Sequence, residues 1–135
     1  MARRYDAVAG SDGVRNYARI VGIVLIVTGV LGLLLGDRIF GIFNSDLLED
    51  IIHLGSGALM AFVGFAQRDN GPARTVVGGL GVVYLLVGIL SFIDPTLFGM
   101  IPTGYTLADN LLHLALGLLG IIVGFVLPRN TATAR

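Results

Sequence analysis

Four runs of this chain, at about 18–35, 47–66, 75–93 and 107–127, stay apolar long enough to cross a hydrocarbon layer that takes roughly 20 helical residues. No water reaches backbone N–H and C=O groups inside such a layer, so each run must satisfy them internally as an α-helix. Only 13% of the residues are charged, too few to solubilise a fold built on four such helices. The expected fold is therefore an all-α membrane protein, a four-transmembrane-helix bundle. Gly36 to Arg38, Arg68 to Pro72, Asp94 with Pro95, and Pro128 with Arg129 punctuate the ends of the runs.

The nine basic residues are all arginine, balance nine acids and form no cluster, so nucleic acid is not expected as a partner. Cysteine is absent, which excludes disulfides and thiolate-held metals. Basic residues at Arg3 and Arg4 precede the first run, but no small-residue cleavage pattern follows Leu35, and the run reads as a retained helix. The layout expected is an N-terminal arm (1–17), a first hairpin (18–66), a linker (67–74), a second hairpin (75–127) and a tail (128–135). Arg3, Arg4, Arg15, Arg19, Arg68, Arg74, Arg129 and Arg135 fall on one side of the membrane and only Arg38 on the other. The positive-inside rule then places both termini and the linker in the cytoplasm.

The two hairpins read as one unit written twice. Gly22 and Gly29 match Gly81 and Gly88, Phe40 and Gly41 match Phe98 and Gly99, and His53, Gly57 and Gly64 match His113, Gly117 and Gly124. Each unit crosses twice, so the copies are expected to be parallel repeats about a pseudo-two-fold axis along the membrane normal, with both histidines at equal depth. The outer connections, Ile39 to Phe43 and Leu97 to Pro102, are apolar. They read as interfacial turns that roof the histidines, with Phe40, Phe43, Phe98 and Tyr105 as anchors.

Asp46 with Glu49 and Thr106 with Asp109 have capping-box spacing. Glu49–His53 and Asp109–His113 are also i, i+4, which sets acid and imidazole on one helix face, with Asp50 and Asn110 one position closer. Each histidine lies roughly 10 Å beyond its cap, inside the apolar slab, where polar groups mark functional sites by default. Below them Gly57 and Gly64, and Gly117, Gly120 and Gly124, leave a nearly bare stripe that suits either close helix packing or a slot for a flat ligand. Three readings stand side by side. The histidines act as structural glue; they ligate a haem or chlorophyll-type pigment, or bracket a quinone; or the acid–histidine pairs bind a proton or cation at the outer face. Gly22, Gly29, Gly81 and Gly88 read as a packing seam, and Thr28, Ser56, Tyr84 and Ser91 as local or interhelical hydrogen-bonding groups. No catalytic motif is found, so a non-enzymatic role is expected.

From Leu107 through Asp109, Asn110 and His113 to Gly117, with Val82 to Gly88 and the apolar turn before it, the chain resembles a family of small bacterial four-helix membrane proteins classed as a domain of unknown function. The first copy departs from the second in carrying Glu49 and Asp50 where Asp109 and Asn110 stand. The resemblance implies the fold and a membrane location, and brings no activity. The role expected is an accessory or scaffolding subunit, or a homo-oligomer, whose partners are lipid and other membrane proteins or itself.

Overall fold

The computed structural model describes residues 2–128, with side chains from Gly13 onward; the side chains of Arg3 and Arg4, and the tail with Arg129 and Arg135, lie outside the described residues. The elements in order are α1 (Ala2–Leu35), β1 (Arg38–Ile39), β2 (Phe43–Asn44), α2 (Leu47–Phe65), α3 (Asn70–Ile93) and α4 (Leu107–Ile121), which runs into a π-helical turn (Ile122–Val126). Four helical stretches, Gly13–Leu35, Leu47–Phe65, Asn70–Ile93 and Leu107–Val126, are long and apolar enough to cross a membrane. The protein is a four-helix membrane bundle. The expected arm before Ala18 is not separate from the first helix: α1 continues back through Tyr17, and Val14 is already buried against the bundle. Nothing between Gly13 and Ala18 breaks a helix, and Arg15 gains a partner there by donating to the Gln67 carbonyl at 3.1 Å.

Two antiparallel helix pairs, α1 with α2 and α3 with α4, carry the closest packing. Glycine makes this possible. A Cβ on Gly22 would stand 2.7 Å from the Ala61 nitrogen, and one on Gly57 2.8 Å from the Gly22 carbonyl oxygen. In the second pair, a Cβ on Gly81 would stand 2.6 Å from the Ile121 nitrogen, and one on Gly117 2.5 Å from Leu85 Cα. Gly29 faces Asp50 and Leu54, Gly64 faces Arg15 and Arg19, Gly88 faces Leu114, Gly120 faces Val77 and Gly81, and Gly124 faces Gly78 and Arg74. Lipid tails are as apolar as the side chains, so close backbone approach, with its many dispersion contacts, is the available source of helix association. The stripe below each histidine is thus filled by a neighbouring helix, and the expectation of a slot there for a flat ligand is overturned.

Arginines finish the helix ends opposite the β-hairpin. Arg19 Nε donates to the Gly64 carbonyl at 2.7 Å, and Arg74 donates to the carbonyls of Gly124, Leu127 and Pro128. These bonds satisfy carbonyls that a helix C-terminus leaves without partners. Between the pairs, Ala18, Leu25, Met60, Val63, Val77 and Tyr84 form the shared core. Among the described residues, α1 approaches the fourth helix only at its π-helical turn. Toward the loop end, α1 and α4 stand apart.

At that end the first connection forms a small β-hairpin, which the reading of helices and open turns did not anticipate. Arg38 pairs with Asn44 and Ile39 with Phe43. Phe40 (φ 54°) and Gly41 (φ 70°) take the two left-handed central positions of a type I′ turn, closed by the Ile42 N–H on the Ile39 carbonyl at 3.1 Å. In the second connection Leu97, Phe98 and Gly99 are all left-handed. Asp94 anchors them, accepting from the Thr96 N–H and hydroxyl and from the Phe98 N–H. Phe40 and Phe98 are exposed, as expected of interfacial anchors, whereas Phe43 and Tyr105 turn inward.

Candidate functional site

Glu49 and His53 project from one face of α2, and His113 projects from α4 toward them. They are 3%, 7% and 4% exposed. Nε2 of His53 and Nε2 of His113 each lie 4.0 Å from the same oxygen, Glu49 Oε1. The i, i+4 spacing placed Glu49 beside His53, but the second histidine crosses to Glu49 and does not pair with its own Asp109. The reason lies in the two caps. Asp109 closes a true capping box, accepting from the Thr106 N–H and hydroxyl at 2.8 Å while Thr106 accepts from the Asp109 N–H, and it also accepts the Asn44 N–H. Its oxygens are occupied. Asp46 makes no cap, so the capping box expected at Asp46 and Glu49 does not form; Asp46 accepts instead from Asn44 Nδ2 and Thr103. Glu49, freed of a capping role, reaches inward, where Asn44 Nδ2 holds its Oε2 at 2.9 Å and leaves Oε1 toward the imidazoles.

Asp50 and Asn110 are buried but turned elsewhere. Asp50 accepts from the Ser45 hydroxyl at 3.0 Å and lies over Gly32 of α1, where no side chain would fit, and Asn110 Oδ1 has no partner among the described residues. Tyr84 of α3 stacks on both histidines, its ring 6.4 Å from His53 and 5.8 Å from His113. Its hydroxyl meets the Ser56 hydroxyl at 2.7 Å, and Ser56 in turn donates to the Ile52 carbonyl. That chain ends on backbone. Tyr105 stands edge-on to His113 at 4.8 Å; burial, reinforced by the negative charges of Glu49 and Asp109, pushes its hydroxyl far above the usual tyrosine range and keeps it protonated. Nδ1 of each histidine is buried and has no hydrogen-bond partner among the described residues.

A roof of hydrogen bonds separates this cluster from the aqueous side. Thr103 joins the second connection to Asn44 and Asp46, the Thr106 hydroxyl shares its one proton between Asp109 and the Ile42 carbonyl 2.9 Å away, and the Asn44 N–H bonds Asp109. Sideways the cluster is open. A cavity of about 270 Å³ runs between α1 and α4, walled by Val24, Leu25, Leu31, Phe43, Leu112 and Leu116, with Glu49, His53 and His113 at its inner wall. Val24, Phe40 and Leu112 line it and also face outward, so its mouth opens on the surface that meets lipid. The volume is below the usual range for drug-sized ligands, about 300–1,000 Å³, and does not suit a porphyrin-type macrocycle.

Asn44 and Tyr84 are the site residues that sequence spacing did not single out for this cluster. A polar Asn44 and Ser45 directly after the apolar Ile39 to Phe43 were the available signal. Residues 15–126 match the family described as a domain of unknown function (DUF4383). No curated protein and no solved structure matches the chain.

Proposed function

We propose, for a chain that belongs to the domain of unknown function family DUF4383, that it is a non-catalytic membrane protein which takes a small, mostly apolar molecule of the quinone class from the bilayer. The observation that carries this reading is the cavity itself: apolar walls, a mouth on the lipid-facing surface, and a buried carboxylate with two imidazoles at its inner wall. Such a cavity complements an apolar body with one hydrogen-bonding end. A neutral imidazole donates to a quinone carbonyl, and the Glu49 carboxylate accepts from a quinol hydroxyl. The volume holds a single ring and leaves an isoprenoid or alkyl tail outside in the bilayer. The arginine distribution supports an orientation with the roofed end on the outer side of a cytoplasmic membrane. A role as accessory subunit or homo-oligomer would use the exposed apolar faces, which any membrane protein presents; the cavity is the more specific feature.

The test is calorimetric titration of the protein in lipid nanodiscs with a short-chain ubiquinone. Saturable binding is expected, weakened at least tenfold by Leu112→Trp, which fills the mouth. Equal binding by the Leu112→Trp protein, or partition no greater than into empty nanodiscs, refutes the proposal.

A further inference from the structure

We infer that Glu49, His53 and His113 bind one divalent first-row transition-metal ion of the zinc or ferrous class. The inference does not depend on the quinone reading. Three observations converge on it. The first is spacing: one donor atom from each of the three residues lies within 4.8 Å of the other two, with both Nε2 atoms 4.0 Å from Glu49 Oε1. That separation is too long for hydrogen bonds, which close at about 2.7–3.2 Å. It is near that of ligands around a shared ion: donors at ~2.0–2.2 Å from a metal lie roughly 3–3.5 Å apart. A closure of about 0.5–1 Å between Glu49 and each histidine, and of up to about 1.8 Å for the widest pair, by side-chain rotation, completes the site.

The second is donor chemistry. Two imidazoles and one carboxylate form the set that holds catalytic zinc and non-haem iron, with further positions left open. Here all three residues line the cavity. Asn44 acts as a positioning residue: by occupying Oε2 it presents Oε1 to the ion, the outer-shell support that metal-bound carboxylates usually have. The third is that the histidines are not spent on structure. They are more than nine-tenths buried, and Nε2 of each stops 4.0 Å from Glu49 Oε1, short of a hydrogen bond. Buried polar groups in this condition call for a missing partner. Charge is consistent as well, because Glu49 and the adjacent Asp109 offset a divalent ion in a poorly polarisable interior.

The experiment uses the full-length protein, stripped of metal with EDTA, in nanodiscs without quinone, with Co2+ as the probe. Visible ligand-field bands of four- or five-coordinate Co2+ are expected at about one ion per chain, lost on adding Zn2+, together with a rise in the thermal unfolding midpoint. Glu49→Gln, which is nearly isosteric, and His53→Ala and His113→Ala should each weaken Co2+ binding at least tenfold; Asn44→Ala should weaken it about tenfold. Asp94→Asn, remote from the site, should leave it unchanged. Should the histidine variants fail to fold, Glu49→Gln decides the matter. The inference is overturned if Co2+ shows only its hexa-aqua spectrum, if Mg2+ displaces it at equal concentration, or if Glu49→Gln binds it as tightly as the parent. Quinone binding without Co2+ binding overturns the metal site alone, and the converse overturns the quinone reading alone.

Discussion

At the scale of single residues, the two acids that look interchangeable in the sequence have divergent tasks because their neighbours differ. Thr106 offers Asp109 a hydroxyl and an N–H, and the pair locks into a capping box; Asp46 offers Glu49 no such partner. Thr106→Ala should therefore destabilise the protein by about 1 kcal/mol, the usual cost of a lost N-cap, with Asp46→Ala costing no cap energy. Thermal unfolding of the two variants in one detergent distinguishes them. Asp94 gives a pH prediction. Hydrogen bonds from the Thr96 hydroxyl and N–H hold its carboxyl below the usual carboxylate range. Its folded value is depressed, so its contribution to the second connection is present above the unfolded value of about 4 and is lost as pH falls through the folded one. Hydrogen exchange of the Thr96 and Phe98 amides should quicken there, and Asp94→Asn should remove that pH dependence. The i, i+4 arithmetic made Glu49 and His53 legible as a pair, but convergence of His113 on Glu49 depends on how α4 packs beside α2, which local spacing does not encode.

At the scale of elements, the helices and their glycines were the most legible part of the chain, because hydrophobic length and small-residue spacing are local properties. Their use was not. The same glycines suit a ligand slot or a helix seam, and only the facing helix decides; here Gly57 meets Gly22 and Ile26, and Gly117 meets Leu85. Gly22→Leu and Gly117→Leu should force the helices apart, each costing about 1–3 kcal/mol or more. Gly55, with open space where a Cβ would be, should tolerate alanine. Equal thermal stability across these variants would refute the packing assignment. The β-hairpin was hidden because its strands are two residues each and its turn places a phenylalanine at positive φ, against the residue preference that normally announces such turns.

At the scale of the whole molecule, the roof of Asn44, Asp46, Thr103 and Asp109 closes the loop end while the separation of α1 and α4 leaves the flank open. For a ligand of the proposed quinone class, the bilayer, and not the aqueous phase, is then the reservoir from which the cavity would be filled. Occupancy follows a ligand's partition coefficient as much as its fit, and a change in membrane lipid can alter loading with no change in the protein. Detergent alkyl chains, supplied in large excess during extraction, compete for the same doorway. A preparation that is colourless and empty in micelles is therefore compatible with a site that is full in its native leaflet, and extraction into polymer-bounded native discs is the condition under which its contents survive for identification.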